Sequence, residues 1–369
     1  MSNNTNLISM FETRKMIQML DQTLPTRTFL KNTFFANVVT SEQENIDIDI
    51  RKGKRRIAPF VSRLVGSETV ERLGYITKTY KPPLVGIDMI TDAQDLIHRS
   101  PNEHIFGAKS PMARMAEIMA NDIRDMDEQM TRREEWMCAQ ILTTGKIPMI
   151  GQGVNEVLDL SGEWHFDKLV GMDSWDDLDN ADIHAQFRKW QRQISQQSGL
   201  TADIAILGQN AVDKLYANKK WREEQKFIQM SFGNYNPKYQ GDGVTFIGIM
   251  PSVGIELYSY NEWYLAGDGK EYPMVDPDVV IIGSTKAYTS MMYGVIIDPT
   301  NGAFALPRVP KSWIDPKPGQ RFIQLSSRPI AVPHQIDGFI TATVCSGPLS
   351  TEQKPRVNSN KNKSEESKE

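Results

Sequence analysis

SPMARMAEIMANDIRDMDEQMTRREEWMCAQILTTG, residues 110–145, is the stretch on which the fold turns. Ser110 is placed to cap a helix, and Pro111 suits the first turn, where no N–H partner is needed. Met115, Met119, Ile123, Met126, Met130, Met137 and Ile141 recur at three- and four-residue steps and form one apolar stripe. Glu117, Asp122, Arg124, Asp125, Asp127, Glu128, Arg132, Arg133, Glu134 and Glu135 read as the opposite, wet face. At the standard rise the rod runs on the order of 45–50 Å before Gly145, longer than most domains need. A single narrow stripe on so long a helix predicts a spine lying across a sheet, with its methionines as adaptable packing.

Upstream, Leu7, Met10, Phe11, Ile17 and Leu20 recur at near-helical spacing, and Leu24-Pro25 closes that short helix. Phe29-Leu30 and Phe34-Phe35 then form a dense apolar patch on a segment without room for its own core. Such an arm packs on the body of the protein or on a neighbour. Ile46, Ile48 and Ile50 alternate with Asp47 and Asp49, which is strand periodicity with one wet face. The basic run Arg51-Lys52-Gly53-Lys54-Arg55-Arg56 follows, and the chain returns through Tyr75–Tyr80 to Pro82-Pro83. This predicts a long two-stranded excursion, and isolated hairpins are marginal in water, so it needs a surface to lie on.

Downstream of the spine, residues 147–170 read as short strands with glycine turns. A second helix carries Ile183, Phe187, Trp190 and Ile194 and ends at Gly199. The strand Ile204–Leu207 precedes a helix through Val212, Leu215 and Tyr216. Further strands are expected near 244–249, 255–265, 279–283, 321–326 and 339–344, with Gly241-Asp242-Gly243 and Gly267-Asp268-Gly269 as hairpin turns. Helices and strands mix without strict βαβ alternation, so the class is α+β. After Leu349 the chain lacks apolar anchors and is expected to be disordered.

The composition restricts function. With 369 residues and 40% hydrophobic content the chain can bury a core, and its net charge of −4 disfavours general attraction to polyanions. Two distant cysteines, Cys138 and Cys345, fit no zinc spacing and read as buried free thiols. The N-terminus lacks the pattern of a signal peptide, and no stretch approaches the ~20 apolar residues of a membrane span. Five scattered histidines form no metal pair. The acidic run Asp173, Asp176, Asp177, Asp179, Asp182 lacks the mid-loop glycine and closing glutamate of a calcium loop, so it reads as a solvated loop supplying a helix cap. No nucleotide-binding or nucleophile motif occurs, so no catalytic, cofactor or metal residue is assigned. The basic residues Arg51, Lys54, Arg55, Arg56 and Arg63 oppose in sign Asp122, Asp125 and Glu128 of the spine. This suggests that the loop of one copy lies over the spine of another, with Phe29, Phe34 and Phe35 of the arm as further inter-subunit contacts.

Three stretches resemble the lambda-type major capsid protein family of tailed bacteriophages. One runs from Thr28-Phe29-Leu30 through Phe34-Phe35, Ala58-Pro59-Phe60-Val61-Ser62 and Gly66 to Tyr80-Lys81-Pro82-Pro83. A second runs from Pro277-Asp278 through Ile282-Gly283-Ser284-Thr285 to Tyr293-Gly294 and Asp298. The third runs from Pro310-Lys311-Ser312-Trp313 to Phe322–Pro329. Their order along nearly the whole chain carries the likeness. The resemblance implies an HK97-like capsid fold: an N-terminal arm at 1–38, an extended loop at 39–95, a peripheral domain at 96–175 with the spine helix, an axial domain at 176–309, peripheral return strands at 310–349 and a charged tail at 350–369. It implies self-assembly into hexamers and pentamers of an icosahedral virion shell around double-stranded DNA, bound without sequence specificity, after synthesis in the host cytoplasm. Expected partners are a separate scaffolding protein, since no long helical extension precedes the arm, a portal and a decoration protein. The resemblance implies neither a cofactor nor an enzyme. Alternative readings are an encapsulin-like nanocompartment shell on the same fold, a tail or head-completion protein, and an α+β enzyme.

Overall fold

Helices α1 (Thr13–Gln22), α2 (Phe29–Phe34), α3 (Pro111–Thr144), α4 (Ile183–Ser198) and α5 (Gln209–Ala217) punctuate a chain otherwise rich in strands. The computed structural model describes residues 11–22, 28–51, 57–58, 60, 74–92, 110–151, 153–223, 238–241, 243–250, 252–299, 302–316 and 319–348.

The spine helix α3 starts and stops where its sequence directs. Ser110 Oγ accepts the Ala113 N–H, Pro111 opens the first turn, and Gly145 ends the helix with φ +67°. A side chain at Gly145 would have to hold that left-handed backbone and would also strike Ser161. Met119, Ile123, Met126 and Met130 are buried against Ile323 and Leu325, together with Phe11 and Met16 of the N-terminal segment. Ile323 and Leu325 belong to a three-stranded antiparallel sheet in the order Val309–Ile314, Arg321–Ser327, Val85–Thr91. The narrow stripe thus lies across a sheet, as its sequence predicts. Met16 supplies the fully buried contact of α1, while Ile17 is half-buried, and Leu7 and Met10 lie outside the described residues.

Deeper along α3, Met137, Cys138, Ile141 and Leu142 enter a larger core. That core covers one face of a mixed sheet, seven-stranded among the described residues. Its order is Phe166–Lys168, Phe339–Thr343, Val279–Gly283, Ile204–Leu207, Ile255–Tyr260, Val244–Met250, Lys238–Gly241. Alternation places Ile204, Ile206 and Ile281 on the α3 side and Ala205, Leu207, Val280 and Ile282 on the other. The second face is closed by α4 through Ile183, Phe187, Trp190 and Ile194, and by α5 through Val212 and Leu215. Burial on both faces explains why the central strands read as unbroken apolar runs. Asp182 caps α4, its Oδ1 accepting the Ala185 N–H at 2.9 Å, so the acidic loop does supply a helix cap.

Strand Phe339–Thr343 sits in the seven-stranded sheet between Phe166–Lys168, from the range expected to be peripheral, and Val279–Gly283, from the range expected to be axial. Four of its five side chains are buried, and its backbone is paired on each edge in this sheet. The hairpin Ile46–Arg51/Tyr75–Tyr80 also leans on its own subunit. Ile46, Ile48 and Ile50 are 1%, 0% and 2% exposed. Around them, His334 Nδ1 meets the Asp49 carbonyl, Tyr80 Oη donates to Glu156, and Lys78 Nζ donates to the Asp159 carbonyl. The apolar face of the hairpin base is therefore covered within the chain and does not wait for a neighbour.

Candidate functional site

The arm is fixed by charges that the sequence places on a wet face. Glu134 and Glu135 of α3 are 0% and 1% exposed. Glu134 occupies the stripe position four residues after Met130, so it points inward. Glu135 caps α2: its Oε1 accepts the N–H groups of Phe29 at 3.0 Å and Leu30 at 2.7 Å, and its Oε2 that of Lys31 at 2.9 Å. These are the orphan donors of a helix start, here satisfied by a carboxylate more than a hundred residues away in sequence. Tyr260 Oη lies 3.0 Å from Glu135 Oε1.

Glu134 binds two cations. Lys31 Nζ stands 2.7 Å from its Oε2 and Arg308 Nη1 2.5 Å from its Oε1, and Tyr293 donates its hydroxyl at 3.0 Å. Arg308 also reaches Asp127 Oδ1 through Nε at 2.8 Å, and Thr131 and Ser327 through its other nitrogens. Burial alone would raise the Glu134 carboxyl, but the Arg308 guanidinium and the Lys31 ammonium outweigh it and hold the group below the usual range. Burial raises Glu135, and the N–H groups of Lys31 and Leu30 and the Tyr260 hydroxyl offset this only in part. Burial also works against the charge of Arg308, yet Glu134 holds it protonated. The cluster joins arm, spine and the Val309 strand into one unit. Composition hid it, although a glutamate inside a methionine stripe was a visible signal.

The arm phenylalanines correct an expectation. Phe34 stands edge-on to Phe339 at 5.2 Å and Phe35 is fully buried, so both serve the subunit's own core and leave nothing for a neighbour. Phe29 is half-buried against Tyr258 and Tyr260. On the spine, Asp125 is exposed and paired with Arg124, while Asp122 and Glu128 are half-buried. The backbone of Arg51 ends the hairpin strand opposite Tyr75. Lys54, Arg55, Arg56 and Arg63 lie outside the described residues, as does the charged tail.

Outward surfaces carry unspent apolar groups. On the sheet face turned away from α3, the register aligns Trp313, Phe322 and Ile90 in one cross-strand row. Trp313 and Phe322 stack at 5.3 Å with 4° between their planes, and Ile90 is 54% exposed. Ile57 and Phe60, which follow the first hairpin strand in sequence, are 91% and 106% exposed. A concavity of about 220 Å³ beside α3 is lined by Leu84, Trp136, Met149 and Ile150. Among the described residues no three His, Cys, Asp or Glu side chains gather as for a metal ion, and no helix is long and apolar enough to cross a membrane. Cys138 and Cys345 are buried and unbonded to each other, and burial pushes both thiols upward.

Comparisons with known proteins agree with this architecture. A family model described as phage major capsid protein E matches residues 12–344. The P21 prophage-derived major head protein of Escherichia coli O6:H1 strain CFT073 is 24% identical over 356 residues, covering 91% of this chain and 100% of that protein. The major capsid protein of Escherichia phage N15 is 21% identical over 353 residues, covering 90% and 99%. Among solved structures, a prophage capsid protein from E. coli CFT073 superposes with a TM-score of 0.67 at 22% identity, covering 90% of this chain and 99% of that one. At that identity the superposition speaks for the fold.

Proposed function

The chain belongs to the phage major capsid protein E family, and from that premise we propose that its exposed apolar rows and its basic loop join sister copies into the hexamers and pentamers of an icosahedral head around double-stranded DNA. It is a virion structural protein with an HK97-like fold and not an enzyme. Family membership displaces the enzyme, tail-protein and nanocompartment readings.

The observation that carries the assembly reading is the Trp313–Phe322–Ile90 row. Three large apolar side chains aligned across strands on an open sheet face mark a surface built to be covered. Ile57 and Phe60, both fully exposed, are further apolar groups of this kind. The loop residues Arg51, Lys54, Arg55, Arg56 and Arg63 meet the spine residues Asp122, Asp125 and Glu128 of an adjacent copy, which supplies orientation and many weak linked contacts. Phe34 and Phe35 drop out of this interface. The arm (1–38), the extended loop (39–95), the peripheral domain (96–175 with the return strands 310–349) and the axial domain (176–309) act as the units of the subunit. Scaffolding protein, portal and decoration protein are the expected further partners, and the acidic average charge (net −4) suits a container that must release its DNA. Assembly takes place in the host cytoplasm.

Electron microscopy of the expressed protein tests this reading. Trp313→Glu and the pair Arg55→Glu/Arg56→Glu should each prevent closed particles while leaving the circular-dichroism spectrum of the subunit unchanged. Normal particles from the double charge reversal would dispose of the loop-on-spine contact, and normal particles from Trp313→Glu would dispose of the apolar one.

A further inference from the structure

Helix α4 buries Ile183, Phe187, Trp190 and Ile194 and turns its opposite face to solvent. That outward face carries Arg188, Lys189 and Arg192, all exposed, with Gln193 and Gln196 beside them. These five side chains and Ala185 line a concavity of about 370 Å³. No aspartate or glutamate occurs in the 16 residues of the helix, although the chain as a whole holds 46 acidic and 42 basic residues. A merely solvated helix face mixes both signs, as the outer face of α3 does. Arg188 and Arg192 have no carboxylate partner among the described residues. Lys189 reaches Asp167 Oδ2 at 3.4 Å, but the same oxygen already accepts the Trp190 Nε1–H at 2.9 Å. Asp182 is engaged as the cap of the helix.

Guanidinium and ammonium groups give this concavity positive charge and N–H donors, the combination that phosphate oxygens take. Arg188 and Arg192, one turn apart, stand about 6 Å from one another along the axis. A protein partner would need an apolar centre to the patch, and the lining provides only the methyl group of Ala185. The face also points away from the arm, the hairpin and the spine, which pack on the other side of the seven-stranded sheet. We propose that the outward face of α4 is a contact for the phosphate backbone of duplex DNA, with Arg188, Lys189 and Arg192 each neutralising one phosphate and no base being read. This rests on the reading of the chain as a shell around DNA and adds the surface that meets the contents. Three such contacts per copy form a weak, salt-labile grip, compatible with a net charge of −4 and with DNA that must leave.

Titration of the full-length, unassembled subunit with a fluorescein-labelled DNA duplex of arbitrary sequence, followed by anisotropy at several salt concentrations, tests the assignment. The slope of log affinity against log salt should be shallower in Arg188→Gln/Arg192→Gln by about 1.8, two phosphates at about 0.9 each. Lys270→Gln/Lys286→Gln removes the same charge at two exposed positions outside α4 and should leave the slope unchanged. All four side chains are exposed, so neither pair disturbs the core. An unchanged slope in the α4 pair overturns the proposal, and so does an equal loss in the control pair. Failure of the α4 pair to form particles, with its DNA slope intact, would make this face a protein interface and overturns it too. The titration needs no particles, so absence of assembly in the unmodified protein would count against the shell reading alone.

Discussion

Replacing Arg308 with methionine removes one of the two cations that neutralise Glu134 while keeping most of the aliphatic stem. The carboxylate left behind is 0% exposed and retains Lys31 at 2.7 Å and the Tyr293 hydroxyl at 3.0 Å. Breaking one side of a buried ion pair costs about 3–5 kcal/mol, and the surviving Lys31 puts this case near the lower limit, about 3 kcal/mol. A chain of 369 residues has an unfolding entropy near its midpoint of about 0.8 kcal/mol/K, so the midpoint should drop by about 4 °C. The assay is thermal unfolding of the unassembled subunit, followed by near- and far-ultraviolet circular dichroism. The companion variant Glu134→Gln/Arg308→Met removes the stranded charge and should lose less than the two single substitutions together, by about 1–3 kcal/mol. A midpoint shift below about 1 °C in Arg308→Met, or strict additivity in the double variant, would refute the claim that this pair holds the arm, spine and Val309 strand as one unit.

Acid should weaken the Glu134 cluster. Glu134 is held below the usual range in the native state, so its contribution is complete above the ordinary carboxylate value and is lost as pH falls through the lowered one; Glu134→Gln should flatten the acid limb of the stability–pH curve. Ile48→Ala should destabilise the unassembled subunit by about 2–5 kcal/mol in denaturant unfolding, because Ile48 is fully buried within its own chain; no change would mean that the hairpin is covered only after assembly. Gly208→Ala should abolish soluble expression, since a Cβ there would lie 2.4 Å from the Asp276 carbonyl and 2.6 Å from that of Pro277, both backbone atoms that cannot step aside.

What could be read from residues alone follows a physical divide. The spine was legible because Ser110, Pro111 and Gly145 act locally and its stripe follows a single period. The hairpin was legible from the alternation of isoleucine and aspartate, but alternation does not say whose surface covers the apolar side. Glu134 and Glu135 were read as solvated because charge normally is, and only the distant partners Arg308, Tyr293 and the α2 amides reverse that preference. The short strands Thr289–Tyr293 and Pro329–Pro333 are not legible in sequence, since they pair with each other across some forty residues and carry turn-like Ser, Thr and Pro. Strand Phe339–Thr343 was seen as a strand, but its neighbours, unlike its periodicity, are not written in it.

That strand has a consequence for how the protein is made. Its slot lies between residues 166–168 and 279–283, both of which leave the ribosome earlier. Until residue 343 has emerged, the nascent sheet is split by a gap with two unpaired edges. Completion of the subunit is therefore timed by its own translation, which delays the appearance of a finished building block.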